Sequence, residues 1–262
     1  MKKLTVIGTA LMDVLVDSPS VLIEKKCNLS EICTQPGGSM RNVASFCSDL
    51  GLPVLFISKF SHDEQGIRLI SELQGKGCDV QGPAVSKPTP VFIHIQDPQK
   101  EYRIGSISSD FFFHKDQDIV PYCLIRDSEW GITDQKDPAF LKHLFSKTEG
   151  TRWIYSGSVP ENSLLKKIEG LVVNREEIDQ TSIPQLIRQG LSWIIVTQDK
   201  EGALLYTAKQ TLSFPAWSEG KDRIGSGDAF LSGLACGLMQ GFSVINSLSL
   251  AIQQADRYIQ HK

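Results

Sequence analysis

No stretch of the 262-residue sequence is both uncharged and long enough to span a bilayer, and no tract repeats another or is of low complexity. Cysteine is present but unorganised. The six, at positions 27, 33, 47, 78, 123 and 236, form no CxxC pair and stand at no zinc-like spacing from a histidine, which argues against a metal knuckle and for reduced thiols. Lysine and arginine do not cluster, and a net charge of −3 argues against a general nucleic-acid binder. Three catalytic signatures are missing as well. Without GxxxxGK[ST], a His-Arg-Asp loop or HExxH, the chain is not a P-loop NTPase, a protein kinase or a zincin hydrolase. Lys2-Lys3 followed by an apolar run over 4–12 has the outline of a signal peptide. Asp13 and Asp17 interrupt it with no convincing cleavage site, so the expected location is cytoplasmic, with no membrane partner.

What is present is alternation. Short apolar runs at 4–7, 54–57, 153–155, 171–173 and 193–197 read as buried strands. Helical spacing follows Asn42 (Val43, Phe46, Cys47, Leu50, stopped by Gly51), follows Asp63, and recurs over 138–145 and 183–188. This pattern predicts an α/β fold with a mostly parallel sheet covered by helices. Runs at 21–23 and 32–34, and a hairpin of 91–95 with 102–104 around Asp97-Pro98-Gln99-Lys100, predict a small β-sheet flap beside it.

The most informative stretch is Asp222-Arg223-Ile224-Gly225-Ser226-Gly227-Asp228, which empties into an apolar helix through Phe230, Leu231, Leu234 and Leu238 and is stopped at Gly241. Glycines on either side of a serine allow a turn that aims successive N–H groups at one point, where a helix N-terminus already favours negative charge. A carboxylate at that mouth suits phosphoryl transfer. Asp228 would take the proton of an attacking hydroxyl while Gly225, Ser226 and Gly227 hold phosphoryl oxygens, and the helix dipole is expected to keep Asp228 ionised near neutral pH. A plain capped helix explains the same residues equally well. In open α/β sheets ligands sit beyond the carboxyl ends of the strands. That singles out Asp13 after the first strand, Gly37, Gly38 and Asn42 before a helix, and Asn174 with Glu177 after a later strand. Asp13, Gly38 and Asn42 offer a carboxylate, a close-approach backbone and an amide, a set suited to a polyhydroxylated ligand. Singly, each is also an ordinary turn or first-turn residue.

Taken together, Gly37-Gly38-x-x-x-Asn42-x-Ala44 near the start and Asp222-x-x-Gly225-x-Gly227-Asp228 near the end resemble the two signatures of the ribokinase-like (PfkB) sugar and nucleoside kinases. The resemblance runs through Gly8, Asp13, Lys59-Phe60-x-x-Asp63-x-x-Gly66, Asn174-x-x-Glu177, Thr197 and Gly202, in order, over most of the chain. It implies one ribokinase-like three-layer α/β sandwich over 1–262, with a β-lid built from segments near 14–36 and 88–107. The lid would close over the substrate and exclude water, and the same fold often dimerises through it. The resemblance also implies that Asp228 is the catalytic base and the 225–227 turn the anion hole. Asp13, Gly37, Gly38, Arg41 and Asn42 would hold the sugar hydroxyls, and Thr197 and Gly202 would lie on the nucleotide side. Asn174 and Glu177 would place Mg²⁺ and phosphate indirectly, although the pair also reads as an Asn cap with Glu three residues on. The implied cofactors are ATP and Mg²⁺.

The sequence departs from the family in four places. Arg223 stands where a small hydroxyl residue is usual, Asp199 where a glycine usually follows Thr197 by two, and Ile224 offers no polar group for a monovalent cation, so K⁺ dependence is not implied. The sequence given ends at 262, soon after the helix that Ser243 opens, where members usually continue with another helix at the adenine pocket. Arg41 directly before Asn42, together with Ser109-Asp110, looks closest to the pseudouridine kinase branch. His94 would face either the ligand or, as strand histidines more often do, solvent. Two functions follow: an ATP-dependent kinase acting on a hydroxymethyl group of a ribose-, fructose- or nucleoside-like molecule, or a binding protein of the same fold with impaired transfer.

Overall fold

The structure, a computed structural model, describes residues 2–24, 26, 30–216 and 225–261. Its first part runs β1 (Lys3–Ile7), β2 (Leu11–Asp17), β3 (Glu31–Gly37), α1 (Ser39–Asp49), β4 (Val54–Ile57), β5 (Phe60–Ser61), α2 (Glu64–Gly75) and β6 (Asp79–Gln81). The middle comprises β7 (Ala84–Val85), β8 (Val91–Gln96), β9 (Glu101–Ser106), α3 (Tyr122–Ile125), β10 (Ser128–Thr133), α4 (Pro138–Lys147) and β11 (Arg152–Ser156). The last part comprises β12 (Gly170–Asn174), α5 (Ile183–Gln189), β13 (Trp193–Thr197), β14 (Ala203–Thr207), β15 (Thr211–Phe214), α6 (Ser226–Met239) and α7 (Val244–Gln260).

Nine strands form one sheet in the order β15-β14-β13-β12-β11-β10-β1-β4-β6, parallel except for the antiparallel edge made by β14 and β15. Its strands are apolar on both faces because both are covered, as a parallel sheet requires. Period-two alternation sorts them. Leu4, Val6, Phe56, Ile154 and Ile195 enter one core with α1, α2, α6 and α7, while Ile7, Leu55, Ile57, Trp153 and Val196 enter a second core with α4 and α5. The result is helix, sheet, helix: the expected α/β sandwich. The chain adds β4 and β6 on one side of β1, then crosses to β10 and builds outward. This places a topological switch between β1 and β10, where an open α/β sheet leaves a crevice at its carboxyl edge.

A second, four-stranded sheet has the order β3-β2-β8-β9. The hairpin of β8 and β9 forms where the sequence predicts it. Residues 21–23 are not a strand: the Leu22 N–H is taken by the Asp97 carboxylate at 3.1 Å rather than by a ladder partner. Conversely, Asp13 is not a loop residue after strand one but lies inside β2, because its carboxylate faces the crevice and need not interrupt the ladder. Asp63 ties this sheet to the body. As N-cap of α2 it accepts from the Gly66 N–H at 2.8 Å, and also from the Thr89 N–H at 2.7 Å and the Thr89 hydroxyl at 2.5 Å, just before β8. Lys59, between β4 and β5, is buried against Asp118 at 2.6 Å. Among the described residues no helix is long and apolar enough to cross a membrane.

Candidate active site

A cleft of about 790 Å³ opens at the switch point, between the carboxyl edge of the large sheet and the inner face of the small one. Gly38 is the N-cap of α1 with a φ of 97°, and a Cβ there would run into the Thr9 carbonyl, so only glycine lets α1 start this close to the strand ends. That start puts Asn42 in the first turn of α1, where its side-chain amide donates to Asp228 Oδ2 at 2.8 Å. Gly37 passes so near the Asp13 carboxylate that a side chain would displace it.

On the opposite wall, Gly225 is the left-handed N-cap of α6 with a φ of 88°, and Ser226, Gly227 and Asp228 are its first three helical residues. The leading N–H groups of a helix have no carbonyl partner within it, and the space beside Gly227 is open. Asp222, Arg223 and Ile224, named in the motif, lie outside the described residues. Burial pushes the Asp228 carboxyl up to about 7, against hydrogen bonds from Asn42 and Ser39, and the Asp134 and Asp13 carboxylates push the same way. The expectation that the helix dipole keeps Asp228 ionised near neutral pH is therefore corrected: desolvation outweighs the dipole and raises the carboxyl into that range.

Asp13, Gly38, Asn42, Asn174, Thr197, Gly202, Gly225, Ser226, Gly227 and Asp228 all line this one cleft. Gly37, Arg41 and Glu177 do not. Arg41 is buried, but its guanidinium turns away to Glu72 at 2.6 Å and donates to Asn42 Oδ1 at 3.2 Å, so it braces the amide rather than facing the cleft. Glu177 is exposed. It accepts the Asn174 N–H at 2.8 Å while Asn174 Oδ1 accepts from the Glu176 N–H at 3.1 Å, a reciprocal cap of the turn after β12. Among the described residues no group of three histidine, cysteine, aspartate or glutamate side chains is arranged to hold a metal.

Asp134 escaped the sequence reading, whereas Asp199 and His94 were named there. Asp134, directly after β10 at the switch point, lines the cleft, and burial raises its carboxyl to about 6. Its signal was its place after a strand, but β10 itself was not foreseen. Asp199 has a φ of 49°, the left-handed conformation that a glycine would take most easily and that aspartate tolerates. His94 faces the cleft rather than solvent, its side chain 13% exposed and its Nε2 3.8 Å from Asp13 Oδ1.

The fold has close relatives among solved structures. Ribokinase from Thermotoga maritima superposes with a TM-score of 0.84 at 17% identity, covering 99% of this chain and 93% of that one. A putative ribokinase from Escherichia coli in complex with ATP and Mg²⁺ gives a TM-score of 0.81 at 16% identity, covering 100% and 93%. The protein thus has the ribokinase-like fold. Residues 161–262 match the pfkB family carbohydrate kinase model. Guanosine-inosine kinase from Exiguobacterium acetylicum is 25% identical over 99% of this chain and 95% of its own length. In its later part the chain is thus similar to the pfkB family carbohydrate kinases, and over nearly its whole length to a nucleoside kinase.

Proposed function

We propose that the protein transfers the γ-phosphoryl group of ATP to a hydroxymethyl group of a sugar or nucleoside, with Asp228 as general base. The observation that carries this is the juxtaposition in one cleft of Asp228, the amide of Asn42 bonded to it, and the open N-terminus of α6. In this reading the acceptor hydroxyls lie between Asp13, Gly38 and Asn42, and the hydroxymethyl group points at Asp228. Asp228 takes the proton as the oxygen attacks, and the N–H groups at the start of α6 stabilise charge on the transferred phosphoryl. Thr197, whose hydroxyl is held by the Val173 carbonyl at 3.3 Å, and Gly202 shape the nucleotide side. Mg²⁺ would neutralise phosphate charge. The Asn174–Glu177 turn suits an indirect hold through bound water, and the exposed Glu177 carboxylate, already engaged at the Asn174 N–H, does not suit direct ligation.

The small sheet would act as the lid. Its outer face also supports self-association. The register aligns Val14 with Ile93 and Ile104, and Ile32 with Val16, Ile95 and Tyr102, in one apolar surface. Ile32, Ile104 and Tyr102 are 69%, 53% and 45% exposed. A second copy of the chain would cover it.

The test is ATP consumption with Mg²⁺ against ribose, fructose, fructose 6-phosphate, guanosine, uridine and pseudouridine. Acceptor-dependent ADP formation is expected from one of them. Silence across the panel, with thermal stabilisation by an acceptor but none by ATP, would instead mean a binding protein of this fold.

A further inference from the structure

We infer that the acceptor is an uncharged nucleoside, its ribose bridging Asp13 and His94 and its base lying on Phe92. This rests on the reading of Asp13, Gly38 and Asn42 as the acceptor side of the cleft. The small sheet places the three side chains together: Asp13 on β2 is the register partner of Phe92 on β8, and His94 follows two residues on, on the same face.

His94 has one usable nitrogen. Its Nδ1 is shut in with no hydrogen-bond partner, whereas Nε2 stands 3.8 Å from Asp13 Oδ1. A proton on Nδ1 would bury an N–H without an acceptor and turn a bare Nε2 lone pair towards a carboxylate, so the neutral tautomer with its proton on Nε2 fits this site. The 3.8 Å gap is too long for a direct hydrogen bond. An oxygen about 2.8 Å from both atoms closes it, accepting from Nε2–H and donating to Asp13. A ligand hydroxyl does both; an ether or a phosphate oxygen cannot donate.

What lies next to that hydroxyl is aromatic. The Phe92 ring packs over Gly105 of β9, where a Cβ would stand 3.1 Å from two ring carbons, and its centroid is 4.8 Å from that of His94. A flat substituent on the ribose would meet these rings at cross-strand distance, about 5 Å from the group held by Asp13. A phosphate there would meet the wrong charge. Around the acceptor end the described lining carries Asp13, Glu101, Asp134 and Asp228 against one guanidinium, Arg103, and that one is already paired with Glu101 at 2.7 Å. A phosphorylated sugar finds no uncommitted cation among them.

The experiment measures KM and kcat with guanosine, uridine, pseudouridine, ribose and fructose 6-phosphate for the wild type and for His94→Ala, His94→Gln and Phe92→Ala. Nucleosides are expected to be the preferred acceptors. Phe92→Ala should raise the nucleoside KM about tenfold more than the ribose KM, because only the nucleoside loses a stacking partner. His94→Ala should raise the nucleoside KM by about tenfold or more, with His94→Gln, which keeps a donor near the Nε2 position, recovering part of it. Preference for fructose 6-phosphate or ribose, or equal effects of Phe92→Ala on ribose and nucleosides, would overturn the inference and leave the kinase reading standing. If nothing turns over, thermal stabilisation by a nucleoside that Phe92→Ala abolishes upholds the inference and sinks the kinase reading, and absence of any nucleoside stabilisation overturns the inference itself.

Discussion

Asn42 and Asp228 stand 186 positions apart in sequence, yet the Asn42 amide donates to the Asp228 carboxylate at 2.8 Å across the cleft. This bond joins the first turn of α1 to the first turn of α6, so two walls of the cleft meet at the proposed base. It also holds the carboxylate in place while burial raises its proton affinity.

Replacing Asp228 by Asn should lower turnover by about 10²- to 10⁴-fold while acceptor binding survives, as removal of a positioned base does. The same change should stabilise the fold above neutral pH. The Asp228 carboxyl is raised from 3.8 to about 7 by burial, so the folded protein binds a proton that the unfolded chain gives up, and stability falls as pH climbs through that window. An amide has no such cost. A Tm rise of at least about 2 °C at pH 8, read by calorimetry, is expected; a lower Tm with normal turnover would remove Asp228 from both roles.

Activity should rise with pH through about 7, because only the ionised Asp228 accepts a proton. Asp134 adds to the upward push on Asp228, so Asp134→Asn should shift the acid limb of kcat to lower pH without changing its shape. An unmoved limb would show that the two carboxylates are not coupled.

Asp63 behaves in the opposite sense. Desolvation works against it, but hydrogen bonds from Thr89, Gly66 and Ser61 prevail and lower its carboxyl from 3.8 to about 2. Its stabilising contribution is therefore complete above about pH 4 and lost as pH falls towards 2. Asp63→Ala should cost about 1–2 kcal/mol at neutral pH through the lost cap, and should flatten the acid limb of denaturant midpoints between pH 4 and 2. Equal acid sensitivity in both proteins would contradict the assigned partners.

Ile104→Glu places a charge in the exposed apolar face of the small sheet. Light scattering on the wild type is expected to give the mass of two chains and on the variant the mass of one. A wild type that stays monomeric at micromolar concentration would show that this face meets no second copy.

The α/β class was legible because buried parallel strands write themselves as continuous apolar runs, and 4–7, 54–57 and 193–197 are such runs. β2 was not legible. Its carboxylate at Asp13 reads as a break until one knows that this face of the strand borders a cleft. Arg41 shows the opposite failure: adjacency to Asn42 suggested a ligand contact, but one residue along a helix is a turn of about 100°, and that sends its side chain to Glu72. Asp199 sits where the comparison with kinases expected glycine, and the backbone is left-handed there regardless.

The sequence by itself determined the layers and the glycine-rich start of α6, since apolar periodicity and glycine placement are local properties. Only the tertiary structure decided which carboxylates share the cleft and how strongly Asp134 and Asp228 hold their protons. Asp13, Asp134 and Asp228 come from β2, the end of β10 and α6, and their mutual repulsion and desolvation exist only once those elements close around a common space.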